Sequence, residues 1–316
     1  MSNKIANRQA MCETLIEKAN DDKDLLVLTS DSRGSASLIP FAEKFPDRII
    51  EVGIAEQNIV GIAAGLAHSG KKAFAVSPAC FLSMRSIEQV KVDVAYSQTN
   101  VKLVGISGGV SYGALGMSHH SLQDFAVTRA IPGLQVLCPA DRFETEAMFN
   151  ALVDSPLPAY IRLGRNPVED CYENSDYDFK IGQAVKLREG KDITLVATGE
   201  MVRVALDAEK LLQNEGIQAT VLNYHTIKPF DVESLLESAR KTKLVVSIEE
   251  HSIFGGLGTS VAEVLSSEKN IVHHILGIPD EPVIAGSSSE IFKHYHLDAP
   301  SISKRALEWI EDERNV

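Results

Sequence analysis

The chain has 316 residues, of which 44% are hydrophobic and 23% are charged, as is typical of a soluble globular protein with room for two domains. Its net charge of −12 disfavours nucleic acid or an anionic membrane as a partner, so a phosphorylated substrate would need a local basic cluster. No apolar run approaches the ~20 residues of a membrane span, and the first residues lack the apolar core of a signal peptide. The four cysteines show no metal-binding spacing and predict reduced thiols in a cytoplasmic protein.

Short β-rich runs alternate with helix-length segments, which predicts parallel sheets joined by crossover helices. In the first half, the predicted strands are Leu25–Leu28, Ala73–Val76, Val101–Ile106, Leu134–Leu137 and Ala159–Leu163. Polar clusters follow three of these strands, at Thr29–Ser35, Ser77–Pro78 and Ser107–His120. Because ligands of open parallel sheets bind beyond the carboxyl ends of the strands, we expect the site among these clusters.

A second alternation of strands and helices follows an irregular, acidic stretch. We interpret residues 171–182 as a linker between one domain of residues 1–170 and another of residues 183–316. The second half contains predicted strands at Ile193–Ala197, Ala219–Leu222 and Leu244–Ile248, with helices near Met201–Glu215 and Asp231–Arg240. Residues 255–258, Gly-Gly-Leu-Gly, begin a further helix, and their spacing favours close packing over anion binding. The predicted fold class is α/β, with two tandem domains.

The chemistry is indicated first by residues 53–58, Gly-Ile-Ala-Glu-Gln-Asn. An apolar run leads into this hexapeptide, and a helical run rich in small residues leads out of it. Glu56 therefore stands at a strand-to-helix junction in apolar surroundings, which suits a carboxylate that transfers a proton. The alternative is an acidic residue that gains only the stabilisation of a helix N-terminus.

This segment resembles the pyrimidine-binding domain of thiamine-diphosphate enzymes, in the transketolase and deoxyxylulose-phosphate synthase group. The resemblance extends over nearly the whole chain. It implies a parallel-sheet pyrimidine-binding domain followed by a transketolase C-terminal-like α/β domain. In that family, the glutamate that Glu56 matches hydrogen-bonds a ring nitrogen of the cofactor pyrimidine and activates the cofactor. Phe81 matches an aromatic that stacks on the pyrimidine, and Met84 and Ile87 stand where transketolases often carry further aromatics.

The glycine-rich loop before residue 121 carries the next matches to the family. His119 matches the active-site histidine that contacts substrate hydroxyls. Two adjacent histidines on an irregular loop cannot both face one small site, so we interpret His120 as structural. Ser107 stands where transketolases often have a phosphate-contacting histidine. Leu115 stands where they typically have an aspartate that accepts a hydrogen bond from the hydroxyl next to the acceptor's carbonyl, which predicts an altered sugar specificity.

The resemblance implies a substrate-anion site at Arg8, Ser35 and Arg165, which match phosphate-contact positions of the family. Arginine offers the bidentate geometry that suits phosphate or sulfonate oxygens. Each residue alone would more often form a surface ion pair, and their joint match favours the anion site. Arg85 is a further candidate for substrate binding, because synthase-like relatives place an arginine there.

The sequence contains no Gly-Asp-Gly signature of the family's diphosphate-binding domain. The resemblance therefore implies the C-terminal subunit of a split transketolase, active only with an N-terminal partner subunit that carries this domain. Thiamine diphosphate would be shared between the two subunits, the ligands of Mg²⁺ would come from the partner, and this chain would supply no metal ligand. We expect self-association as well, in an α2β2 assembly.

The implied reaction transfers a two-carbon ketol unit from a ketose phosphate to an acceptor sugar. Apulose 4-phosphate and a sulfonated or deoxy sugar are candidate substrates that would suit Leu115, and the usual pentose phosphates are the alternative. Three other functions stay open: a 1-deoxy-D-xylulose-5-phosphate synthase-like subunit, the β subunit of a 2-oxoacid dehydrogenase, and a catalytically silent partner subunit.

Overall fold

The computed structural model describes residues 4–174 and 177–314. Ser175 and Asp176 of the predicted linker lie outside the described residues, as do residues 1–3 and 315–316 of the predicted domains. None of the described helices is both long and apolar enough to cross a membrane. All four cysteines are free thiols, as predicted, and three of them are buried.

Strands and helices alternate along the whole described chain. The elements of the first half are β1 (Lys4–Ala6), α1 (Asn7–Asp21), β2 (Leu25–Thr29), α2 (Ile39–Lys44), β3 (Ile49–Glu51), α3 (Glu56–His68), β4 (Lys72–Pro78), α4 (Ala79–Met84), α5 (Ile87–Gln89), β5 (Val101–Ile106), α6 (Asp124–Arg129), β6 (Gln135–Leu137), α7 (Arg142–Asp154), β7 (Ala159–Arg162) and β8 (Pro167–Glu169). The elements of the second half are β9 (Val185–Arg188), β10 (Ile193–Ala197), α8 (Met201–Asn214), β11 (Ala219–Asn223), β12 (Thr226–Lys228), α9 (Val232–Thr242), β13 (Leu244–Ser252), α10 (Leu257–Leu265), β14 (Val272–Ile278), α11 (Ser288–His294) and α12 (Ala299–Arg314). A π-helical turn lies at Val90–Tyr96, and 3-10 turns lie at Pro46–Arg48 and Gly113–Leu115.

Two mostly parallel sheets form the frame of the molecule. The larger has the strand order β12-β6-β7-β5-β4-β2-β3, in which β12 alone is antiparallel to its neighbour. The second has the order β14-β13-β10-β11-β9, in which β9 alone is antiparallel. Strands β5, β10 and β11 are buried at every residue, which explains why apolar residues predominate in them without a regular alternation with exposed polar residues. The predicted α/β class is confirmed.

The second half of the chain contributes one strand to the first sheet. β12 pairs with β6, the backbone N–H of Cys138 donates to the carbonyl of His225 at 2.9 Å, and Ile227 is buried in the core of the first sheet. The sequence does not predict this strand, because only three residues pair before Pro229 ends the run. The two sheets are therefore joined directly.

The predicted linker is packed against α7. The rings of Tyr172 and Tyr177 stack with centroids 4.6 Å apart, and both hydroxyls donate to Glu144 Oε1 at 2.9 Å. Asn223 of β11 donates to both oxygens of the same carboxylate, at 2.8 and 3.0 Å. Glu144 is fully buried. One carboxylate thus binds the linker to both halves of the molecule.

We expect Glu144→Gln to lower the free energy of unfolding by about 1–3 kcal/mol, the cost of leaving a buried hydrogen-bonding group without a partner. The glutamine NH₂ group would face hydroxyl and amide donors, so at least one of them loses its acceptor. Glu146→Gln changes a half-buried residue of the same helix and should alter stability by less than about 0.5 kcal/mol. Urea denaturation of both variants measures this, and equal effects at the two positions would contradict the anchoring role of Glu144.

Candidate active site

The turn after β3 places Glu56 at the first position of α3. Gly53 has a φ of +72°, a conformation that favours glycine, and it carries the chain from the sheet into the helix. Glu56 is only 4% exposed, and the N-terminus of the helix favours its negative charge. The carboxylate is therefore buried at the strand-to-helix junction that the sequence predicts.

Arg85 is the partner of the Glu56 carboxylate. Its Nη1 donates to both oxygens, at 3.1 Å to Oε1 and 3.0 Å to Oε2. Arg85 follows α4, one turn after Phe81, and its guanidinium carbon lies 3.9 Å from the centre of the Phe81 ring. The Arg85 side chain is 48% exposed, at a cleft that residues 54–58 also line. Arg85, which the sequence predicts as a substrate contact, lies against two residues predicted to bind the cofactor.

The glycine-rich loop after β5 brings His119 to Phe81. The two ring centroids are 5.2 Å apart at an interplanar angle of 68°, an edge-to-face contact. Ser118 Oγ lies 3.0 Å from Nδ1 of His119. His120 is buried, its Nε2 lies 3.1 Å from the carbonyl oxygen of Gly113, and burial lowers the pKa of its imidazole. His120 thus holds the loop together, while His119 faces Phe81.

Tyr112, which the sequence does not predict, joins His119 to the predicted anion contacts. Its ring centroid lies 5.4 Å from that of His119, and the guanidinium carbon of Arg165 lies 5.2 Å from its centre. Arg8 Nε donates to the backbone oxygen of Arg165 at 3.1 Å, and Arg8 Nη1 donates to the backbone oxygen of Ser35. A lone tyrosine in a glycine-rich loop has no sequence pattern, so only the fold reveals it.

Arg8 and Arg165 form a pair of like charges. Burial lowers the pKa of Arg8, and the charge of Arg165 lowers it further. Nη1 of Arg165 is buried and has no hydrogen-bond partner among the described residues. Two adjacent guanidinium groups with an unused donor suit a phosphate or sulfonate, whose oxygens accept several hydrogen bonds at once.

The three apolar candidates lie at the margin of this cluster. Met84 is 50% exposed at the end of α4, and Ile87 is half-buried against the core of the first sheet. Leu115 is 55% exposed on the 3-10 turn of the loop that also carries Tyr112 and His119. Their side chains have no polar atom able to bond a ligand strongly, so any role in binding is one of contact and shape.

A buried charge network around Arg162 fixes the loop after β5, and sequence reasoning missed it. Arg162 Nη2 donates to the backbone oxygen of Glu250, and its Nε lies 3.7 Å from Asp124 Oδ2, which also accepts from the Tyr160 hydroxyl at 2.7 Å. The Glu250 carboxylate accepts from the backbone N–H of Val110 at 2.7 Å. Since Glu250 belongs to β13, the loop is tied to the second sheet. An arginine inside an apolar strand is the signal that points to such a network.

Backbone N–H groups at the glycine-rich start of α10 donate hydrogen bonds to a carboxylate of the chain itself. Glu249 accepts hydrogen bonds from the backbone N–H groups of Leu257 at 2.7 Å and Gly258 at 2.8 Å. A Cβ on Gly256 would lie 2.0 Å from a Glu249 oxygen, so the close approach requires glycine. Burial raises the pKa of Glu249 to about 7. Residues 255–258 therefore allow close packing against Glu249, in keeping with the interpretation from their spacing.

The carboxyl of Glu200, at the interface between the two sheets, predicts that the stability of the folded chain depends on pH. Burial raises the pKa of its carboxyl and the neighbouring Glu250 raises it further, while Arg162 lowers it. Its Oε1 is buried and has no hydrogen-bond partner in the described part of the chain. Because the pKa is higher in the folded than in the unfolded chain, the folded state binds more protons between the two pKa values, and stability falls as pH rises from the unfolded-state pKa to the raised one.

We expect Glu200→Gln to match the wild type in stability near pH ~4, below the unfolded-state pKa, and to exceed it near pH ~8.5 by about 1 kcal/mol or more, the free energy of roughly one pKa unit. The exposed Glu215 offers the control, because Glu215→Gln should leave the pH dependence of stability unchanged. Thermal unfolding across this pH range measures both variants. A Glu200→Gln chain that loses stability with pH as steeply as the wild type would rule the explanation out.

Each loop that contributes to the candidate site follows a strand of the larger sheet, as expected for an α/β enzyme subunit. The family described as "Transketolase, pyrimidine binding domain" matches residues 3–169, and that described as "Transketolase, C-terminal domain" matches residues 182–302. The chain therefore belongs to the transketolase family and has its two tandem domains.

Its relatives include proteins named as transketolase subunits. A protein of Phocaeicola vulgatus, named as one of the subunits of an apulose-4-phosphate transketolase, is 51% identical, over 98% of this chain and 99% of its own length. A protein of Clostridium sp. named as a 6-deoxy-6-sulfo-D-fructose transketolase subunit is 39% identical, over 96% of this chain and 94% of its own length. A solved structure described as a split gene transketolase, inactive β4 tetramer, is 37% identical with a TM-score of 0.89, and the match covers 97% of this chain and 99% of that one. The predicted resemblance to the C-terminal half of a split transketolase is confirmed.

Proposed function

We propose that this chain is the C-terminal subunit of a split transketolase that moves a two-carbon ketol unit between sugar phosphates, with thiamine diphosphate as cofactor. One observation carries the proposal: a continuous run of contacts extends from Glu56 to Arg165, by way of Arg85, Phe81, His119 and Tyr112. A cofactor end and an anion end are thereby built into one site. The names of relatives that match over nearly their full length support the same activity.

The residues fit the aminopyrimidine of the cofactor. The guanidinium of Arg85, a flat group with N–H donors, lies against both the Glu56 carboxylate and the Phe81 ring, so this position accepts a flat donor that stacks. When bound, thiamine diphosphate supplies the electron sink for cleavage of the carbon–carbon bond. Glu56 would take and return a proton at a ring nitrogen, Phe81 would fix the plane of the ring, and Met84 and Ile87 would add apolar walls.

The substrate would extend from His119 toward the arginine pair. With Nδ1 of His119 beside Ser118 Oγ, its Nε2 is the atom available to a substrate hydroxyl. Arg8 and Arg165 would hold the anionic end, and the hydrogen bond from Arg8 to the backbone oxygen of Ser35 fixes the first of these guanidinium groups. In this arrangement the reacting carbons of the substrate would lie near the cofactor, and its charged group would lie at the far end of the site.

We further propose that a partner subunit with the diphosphate-binding domain holds the diphosphate and its Mg²⁺, in a cytoplasmic α2β2 assembly. Two of the relatives are named as subunits, and the related split transketolase structure is described as an inactive β4 tetramer, which supports the need for a partner. In the described ranges, no three or more His, Cys, Asp or Glu side chains are grouped so as to hold a metal ion.

Mixing the purified chain with its partner subunit, thiamine diphosphate and Mg²⁺ tests the function. We expect ketol transfer only with both subunits present, and a fall in kcat of at least ~100-fold for Glu56→Gln, because a positioned proton-transfer group contributes that much. Circular dichroism should show the fold unchanged.

The matched control is Glu88→Gln, at an exposed glutamate of α5, which should keep full activity. Full activity of Glu56→Gln would exclude Glu56 as the activating acid. Pyruvate as the preferred donor would favour the synthase-like or dehydrogenase alternative, and no turnover of any donor would favour the silent partner subunit.

Apulose 4-phosphate is the first substrate to test. Two relatives named for that sugar are 51% and 41% identical to this chain, and one named for the sulfosugar is 39% identical. Leu115 cannot accept a hydrogen bond from the hydroxyl next to the acceptor's carbonyl. Cleavage of apulose 4-phosphate releases dihydroxyacetone phosphate, a ketone that lacks the stereocentre carrying that hydroxyl.

We expect Leu115→Asp to raise kcat/KM for xylulose 5-phosphate with ribose 5-phosphate, relative to apulose 4-phosphate, by about 5- to 150-fold, which corresponds to the ~1–3 kcal/mol cost of an unpaired hydroxyl. Met117→Asp places the same charge at another exposed position of this loop and should not shift the ratio. Steady-state kinetics on the assembled subunits give both values. If pentose phosphates are already the best substrates and Leu115→Asp changes nothing, the specificity argument fails.

A further inference from the structure

Arg85 makes the two contacts that a bound aminopyrimidine would need. Its Nη1 donates to both Glu56 oxygens, at 3.1 and 3.0 Å. Its guanidinium carbon lies 3.9 Å from the centre of the Phe81 ring, which is a stacking distance. A flat heteroaromatic ring that hydrogen-bonds Glu56 and stacks on Phe81 would have to use the same carboxylate and the same ring.

Of Glu56, Phe81 and Arg85, it is Arg85 whose side chain can most readily change position. The Glu56 side chain is 5% exposed and is held at the start of α3, and Phe81 is half-buried in α4. The Arg85 side chain is 48% exposed and follows the last residue of α4, so its guanidinium can swing into solvent without moving a helix. A ring entering this position would therefore displace the arginine.

We propose that Arg85 is an internal competitor of the cofactor: its guanidinium holds the position between Glu56 and Phe81 in the unassembled chain and leaves it when the aminopyrimidine binds. The inference rests on the proposed function. The exchange replaces one N–H donor by another, so the buried carboxylate is never left without a partner. Arg85 thus stabilises the unassembled chain and weakens its affinity for the cofactor.

A double-mutant cycle on the full chain alone tests the contact in solution. Arg85→Leu should lower the unfolding temperature, because it leaves the Glu56 charge buried without a partner. Adding Glu56→Gln to this variant should restore part of the loss, although Glu56→Gln alone should destabilise or leave the chain unchanged. Strictly additive effects would mean that the two side chains do not interact, and the proposal would be overturned.

Cofactor affinity separates a competitor from a cofactor contact. Titration of thiamine diphosphate with Mg²⁺ into the assembled subunits should give a Kd about 3- to 10-fold lower for Arg85→Leu than for the wild type, the range expected when a partly exposed ion pair and a cation–π contact no longer compete. Arg85→Lys keeps the charge without the flat stacking face and should give an intermediate Kd. A Lys variant with the wild-type Kd would point to charge repulsion instead and would overturn the competitor role.

Arg48 provides the matched control. Its guanidinium carbon also lies 3.9 Å from a phenylalanine ring, that of Phe45, and it contacts none of the candidate site residues in the described part of the chain. Arg48→Leu should therefore leave the Kd unchanged. If the wild-type assembly binds no thiamine diphosphate, the proposed function itself fails. If it binds the cofactor, and Arg85→Leu binds it equally or more weakly, only the competitor role fails.

Discussion

The buried charge of Arg162 is the constraint on which the arrangement of the site depends. A guanidinium removed from water needs acceptors, and this one draws them from Asp124 in the first half of the chain and from the backbone of Glu250 in the second. Glu250 also holds the N–H of Val110, in the loop that carries His119. The second domain therefore fixes the geometry of a site whose candidate residues all lie in the first. Loss of one partner would leave a buried charge unmatched, at a typical cost of about 3–5 kcal/mol.

The fold could be predicted where burial alone decides the structure. β5 and β10 are enclosed on both faces, so apolar residues predominate in them and do not alternate with exposed polar ones. β12 and the packing of the linker could not be predicted, because each depends on a partner far along the chain. β12 exists through its pairing with β6, and Tyr172 is fixed by a carboxylate on α7. Irregular, polar sequence does not distinguish a free linker from one whose side chains find such partners.

The candidate site also combines features that the sequence predicts with features that only the fold reveals. The position of Glu56 follows from a local pattern, the passage from an apolar strand through a glycine turn into a helix. The residue that Glu56 contacts does not, because the reach of Arg85 depends on where α4 ends relative to α3. Tyr112 likewise gains its place only when one loop brings it between His119 and Arg165. The resemblance to a family identifies the candidate residues, and the structure shows which of them are in contact.

Arg85 and Arg165 differ in how fully their hydrogen-bonding groups are used, and this difference supports the different roles proposed for them. Arg85 engages both oxygens of Glu56 and one face of Phe81. Arg165 has a buried nitrogen with no partner in the described ranges and lies beside the like charge of Arg8. An unused buried donor costs about 1–3 kcal/mol, which an anion can offset far better than a neutral hydroxyl. Because ring contacts through His119 separate this end from Glu56, the proposed substrate would be extended and anionic at its far end. Under the proposed function, a phosphorylated or sulfonated ketose would meet both conditions.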